Sequence, residues 1–190
     1  MAGNQPEGPI MDKLNAALMI LRVGLGIVFL AHGIKHARGR AKTTAWFESL
    51  GYDKASFQWL ASTATEIGTG ALLVLGLLTG LAAAGVVGIM AVAFWTVHRK
   101  AGFFITAFMK PGVDVEGYEY VATLSLMALV VAIAGPGEWA LDWSIEVGGV
   151  TLAEYLDGRI GILLVLGGIA VAAAQLRLFW RPTPRAGNSA

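Results

Sequence analysis

The 190-residue chain contains no cysteine. That absence excludes disulfides, thiolate metal sites, cysteine-ligated iron–sulfur clusters and any cysteine nucleophile or persulfide carrier. Charge is scarce as well: Asp, Glu, Lys and Arg make up 14% of the residues, against about 25% in a typical soluble domain. The formal charge is +1 and no basic patch with interleaved aromatics occurs, so no nucleic-acid partner is expected. A P-loop, a strand-embedded GxGxxG and a Ser/His/Asp set with a nucleophile turn are all missing. So is an inverted repeat with paired broken helices, which weighs against a transporter. What remains is 56% hydrophobic, the composition of an integral membrane protein.

Leu14 to Ile34 is strongly apolar and carries one fixed charge, Arg22. As a helix it measures about 32 Å, close to the thickness of a bilayer's hydrocarbon core. It is read as a mature span, because the apolar run exceeds a usual signal-peptide core and ends in GIKHARGR without a small-residue cleavage site. Residues 1–13 show no periodicity and are expected to form a mobile tail. Trp46, Phe47 and Leu50 recur at helical spacing before Gly51, which predicts a short amphipathic helix in the interface or packed on the bundle.

From Ala55 to His98 there is one formal charge, Glu66. A single helix of that length would reach about 66 Å, twice the bilayer, so the chain must fold back. Thr79 and Gly80 are the expected turn, between spans near Phe57–Leu78 and Leu81–His98. Gly76 with Gly80, and Ala84 with Gly88, permit close helix approach. Tyr120–Ala134 reads as a fourth span, stopped by Gly135-Pro136-Gly137. SIEVGGVTLAEY is a β-hairpin signal centred on Gly148 and Gly149, and Ile160–Leu176 is a fifth span.

The expected fold class is therefore all-α: a membrane-spanning four-helix bundle over residues 14–137, plus a fifth C-terminal transmembrane helix over 160–180. Between them lies an acidic extracytoplasmic segment, 138–159, with the small hairpin; a cytoplasmic tail covers 181–190. Lys and Arg concentrate in the first and third connections and the C-terminal tail. By the positive-inside rule the N-terminus is outside and the C-terminus cytoplasmic.

Two polar groupings stand out. Arg22 and Glu66 differ by roughly 6 Å in depth if both helices are spans, which makes Glu66 the expected partner of the buried guanidinium and the pair a candidate polar or quinone site. His32, His98, Tyr118 and Glu119 converge on the cytoplasmic boundary and offer the groups that a quinone head needs for hydrogen bonds and protons. Simple interfacial anchoring is the competing reading. His32, His36 and His98 could hold a metal ion, and His32 with His98 a b-type haem. Ligand spacing alone is nonspecific, so neither metal nor haem is the expected cofactor.

The stretches LRVGLGIVFLAHGIKH, LGLLTG, VHRKAGFF, EGYEY and GPGEWALD, in this order and spacing, resemble the DoxX family of small bacterial membrane proteins over roughly residues 15–143. The resemblance implies a four-helix membrane bundle in which Arg22, His32, Glu66, His98, Tyr118 and Glu119 are the matching polar positions. It also implies a link to quinone-coupled oxidoreductase assemblies of the thiosulfate:quinone type in the bacterial cytoplasmic membrane, with other membrane or peripheral redox subunits as partners besides lipid. Many members carry a basic residue where Gly80 stands, and residues 144–190 are an extension that suggests docking. The alternatives to a quinone-facing subunit are a purely structural scaffold and a small-molecule or lipid transporter.

Overall fold

The computed structural model describes residues 9–182. The expected tails lie outside the described residues over 1–8 and 183–190. Residues 9–13 are helical and belong to the first helix, a correction to the expected tail over 1–13.

Five long helices form the body: α1 (Pro9–Arg38), α3 (Ala55–Leu75), α4 (Thr79–Ala93), α5 (Glu119–Ala134) and α7 (Gly158–Phe179). Two short helices, α2 (Arg40–Ser49) and α6 (Leu152–Leu156), sit in the connections, and a π-turn over Phe94–His98 extends α4. The hairpin pairs β1 (Glu146–Val147) with β2 (Val150–Thr151). Its turn residues Gly148 and Gly149 both have positive φ, the geometry of a tight two-residue hairpin.

The fold is all-α and of membrane type. Three helices are long and apolar enough to cross a bilayer: Ile10–Arg38, Thr79–His98 and Gly158–Phe179. Glu119–Ala134 is apolar but shorter. α3 is less apolar because Gln58, Thr63, Glu66 and Thr69 are buried along it. Outward-facing Ile20, Ile27, Leu126, Leu163, Leu166 and Val171 are exposed, an apolar periphery that suits lipid.

Successive long helices alternate direction. At one end, the amide of Asp53 donates to Phe179 O (2.7 Å), that of Arg181 to Gly51 O (2.7 Å), and Trp180 Nε1 to Leu50 O (2.8 Å). At the other, the amide of Glu138 donates to Asn15 Oδ1 (3.1 Å) and that of Asp142 to Gly76 O (2.9 Å). α7 packs along α4 and against α5, while α1 lies on α3. The C-terminal helix is thus a full member of the bundle.

Glycine decides how closely α1 and α3 approach. A Cβ on Gly70 would stand 2.6 Å from Leu30 N and 2.8 Å from Gly26 O, and one on Gly26 would stand 2.8 Å from Gly70 O. The backbones meet there. Around this seam Leu25, Phe29, Leu73, Val86 and Val131 form the buried core. α2 packs on α3 through Phe47 and leaves Trp46 exposed.

The turn between α3 and α4 falls three residues before the expected one. Gly76 (φ +66°) closes α3 in the left-handed conformation, as a helix C-terminus favours. Leu78 is also left-handed (φ +47°), at a cost of about 1–2 kcal/mol for a residue with a side chain. At Gly80 the carbonyl oxygen of Leu156 occupies the place of a Cβ, so the extension itself leaves no room for a basic side chain.

Candidate functional site

Arg22 is 2% exposed and does not pair with Glu66. Its Nη1 donates to Leu73 O (2.9 Å) and Val74 O (2.8 Å), its Nε to Pro136 O (3.1 Å), and its Nη2 to Trp139 O. Leu73 and Val74 are among the last residues of α3, where carbonyls lack partners within the helix and carry the negative end of its dipole. Glu66 lies two turns back along α3, about 10–12 Å away along the axis. The guanidinium therefore takes the nearer, already oriented acceptors, which corrects the expected pairing.

The balancing carboxylate is Asp142, which is fully buried. Its Oδ1 accepts from the amide of Leu78 (2.6 Å) and its Oδ2 from that of Thr79 (2.9 Å), so it caps the N-terminus of α4. Sequence reasoning placed Asp142 only among the acidic residues of the outer segment. Its one local signal is the neighbouring Pro136, Trp139 and Ala140, which must fold back over the α3–α4 turn.

Glu66 instead meets His36. Nδ1 of His36 lies 2.7 Å from Oε2 of Glu66, in a close contact that lacks hydrogen-bond alignment and leaves both atoms without a directed partner. His32, one turn before His36, presents its ring edge-on to it with centroids 6.4 Å apart. Gly33 makes the approach possible, since a Cβ there would stand 2.9 Å from Ile67 N and 3.1 Å from Glu66 Cβ. His32, Glu66 and Tyr120 share the wall of a cavity of about 30 Å³ with Phe29, Met90 and Leu124. That is space for a water or two and not for an aromatic ring system. Tyr120 is the member of this cluster that sequence reasoning assigned only to the fourth span.

The other expected residues fasten the loop between α4 and α5. His98 Nδ1 is 2.8 Å from Glu116 O, and Glu119 Oε2 accepts from the amide of Ile105 (3.0 Å). The Tyr118 ring stands edge-on to Phe94 and Phe103 at 5.3 and 5.5 Å. These contacts separate His98, Tyr118 and Glu119 from the His32–His36–Glu66 cluster. Among the described residues no three His, Asp or Glu side chains converge as a metal site, so the His32, His36 and His98 set is not assembled.

Glu66 is buried and His36 partly so, whereas His32 and Tyr120 stay exposed while lining the small cavity; together they bring one carboxylate, two imidazoles and a phenol into an arrangement able to hold and hand on a proton. In comparison with known proteins, residues 17–99 match the DoxX family model. No curated protein and no solved structure matches the chain.

Proposed function

We propose that this chain, whose residues 17–99 match the DoxX family model, works as a membrane subunit or accessory protein of a quinone-linked redox assembly. One observation carries the reading: the His36–Glu66 contact sets a buried carboxylate against a partly buried imidazole, with the exposed His32 and Tyr120 completing the wall of the cavity beside it. Ionisable residues at such depth are costly to keep and mark proton or substrate paths in membrane proteins.

Reduction of a quinone to a quinol takes up two electrons and two protons. The chain has no cysteine with which to ligate an iron–sulfur cluster, and on this reading electron delivery falls to a partner subunit. Glu66 and His36 supply the proton side: the carboxyl group releases a proton toward the small cavity and regains it through the His36 imidazole. The cavity is too small for a quinone head, which makes this cluster a relay and leaves the head group outside it. The concentration of Lys and Arg at the end that holds Arg40, Lys54, Arg99 and Arg181 supports a cytoplasmic position for that end.

The experiment is mass spectrometry of the polypeptides that co-purify from native membranes in mild detergent, paired with quinone-reduction assays on Glu66→Gln. A stoichiometric redox partner, with turnover lost in the variant but assembly intact, is the expected result. Recovery of the chain alone, or full turnover in Glu66→Gln, overturns the reading.

A docking role is favoured by a separate observation. Trp143, Ile145, Val147 and Val150 expose apolar side chains around the hairpin. Val147→Ser with Val150→Ser should release the partner while leaving the bundle folded.

A further inference from the structure

A groove of about 690 Å³ runs along α4, with α3 as one wall and α7 as the other. On α3 its lining reaches from Gln58 to Leu72, and on α7 from Leu163 to Gln175. At 1.5 Å per residue the groove is about 20 Å long, the length of an extended acyl chain, and its lining is almost wholly apolar or small side chains.

The walls are widened by glycines that pack against nothing. A Cβ on Gly68 or on Gly167 would meet no atom within 4 Å. Unlike Gly26 and Gly70, these two are not required by helix contact, and each costs its helix about 0.5–1 kcal/mol relative to alanine. Their effect is to leave space on both sides of the groove.

No charged residue lines the groove. The hydroxyls of Thr65 and Thr69 are spent on their own helix, donating to Ala61 O and Thr65 O at 2.7 Å. Gln58 and Gln175 are different. Nε2 of Gln175 donates to Oε1 of Gln58, which leaves Gln58 Nε2 and Gln175 Oε1 buried without partners. Exchanging the two amide orientations still uses one N–H and one C=O and leaves one of each. Gln58 is 3% exposed, and each such orphan costs about 1–3 kcal/mol until it is satisfied. Both lie about one turn from the ends of their helices, Ala55 and Phe179.

We propose that this groove binds a single-chain lipid whose uncharged head group carries both a hydrogen-bond donor and an acceptor. The chain lies between Gly68 and Gly167, and the head closes the Gln58–Gln175 pair. This assignment is independent of the redox reading.

The test uses the full-length chain in phosphatidylcholine nanodiscs, with a photoreactive palmitoyl monoacylglycerol as the probe. Adducts should map to the groove faces of α3, α4 and α7 and be competed by unlabelled monoacylglycerol. Gly68→Leu with Gly167→Leu fills open space and should cut labelling about tenfold, equivalent to about 1.4 kcal/mol, with the thermal transition retained. Gln58→Leu with Gln175→Leu should retain chain binding but lose the preference for monoacylglycerol over an alkane of equal length; it carries the test if the glycine variant misfolds. Labelling spread evenly over the apolar periphery, or undiminished in both variants, overturns the proposal.

Discussion

Arg22 and Asp142 hold the two sides of one turn. Arg22 donates to Leu73 O and Val74 O at the end of α3, and Asp142 accepts from the amides of Leu78 and Thr79 at the start of α4. The cation sits on the negative pole of one helix and the anion on the positive pole of the next. Asp142→Ala removes both acceptors and the compensating charge. It should lower the unfolding free energy by about 3–5 kcal/mol, read from denaturant titration in detergent micelles. Arg22→Lys should cost nearly as much, since a point ammonium cannot reach carbonyls on three segments.

The His36–Glu66 contact gives a second prediction. His36→Ala leaves a buried carboxylate without its partner and should destabilise the protein by about 3 kcal/mol. Adding Glu66→Gln should recover part of that loss. A double-mutant cycle should therefore return a coupling of about 0.5–3 kcal/mol, and a value near zero would detach the two residues from one another.

Glycines on α1 separate into two behaviours. Gly26→Ala forces a Cβ against Gly70 O and Val74 and should destabilise by about 1–3 kcal/mol. Gly24→Ala meets nothing within 4 Å and should stabilise by about 0.4–1 kcal/mol through the unfolded chain. Thermal transitions of the two variants should move in opposite directions.

The outer segment carries two acids of opposite pH response. Thr151 binds the Glu154 carboxylate through its amide and hydroxyl at 2.9 Å, and these bonds hold that group below the usual carboxylate range. Its contribution is present above the unfolded pKa and is lost as pH falls through the folded one. Burial pushes Asp157 up, with the charge of Glu154 adding to the effect. Asp157 therefore favours the fold at low pH and loses that contribution as pH rises through its folded pKa. Protection of the α6 amides, corrected for the intrinsic pH dependence of exchange, should fall on the acid side in the wild type and lose that fall in Glu154→Gln. Asp157→Asn should remove the loss on the neutral side.

Helices and hairpin were legible from local pattern. The apolar runs fixed which segments are helical, Gly148-Gly149 fixed the hairpin, and the fold-back between Glu66 and His98 followed from length alone. The partner of Arg22 was not legible, because the acceptors are main-chain carbonyls that every residue possesses; their availability depends on where α3 ends. The carboxylate that balances the guanidinium, Asp142, lies more than 60 residues after that turn. The histidines were grouped by expected depth, which ignores rotation about the helix axis. Their rotation turns His36 toward Glu66 and leaves His98 on the loop carbonyl of Glu116.

The cap on α4 also imposes a timetable on biogenesis. Thr79 leaves the ribosome about 60 residues before Asp142, roughly 3–12 s at ordinary elongation rates. Through that interval Arg22 can reach only Leu73 O and Val74 O, since Pro136 and Trp139 do not yet exist. The matched 17–99 region then lacks two of the guanidinium's four carbonyl acceptors and the carboxylate that caps α4. Only when the polypeptide past residue 142 folds back does the early half become self-sufficient.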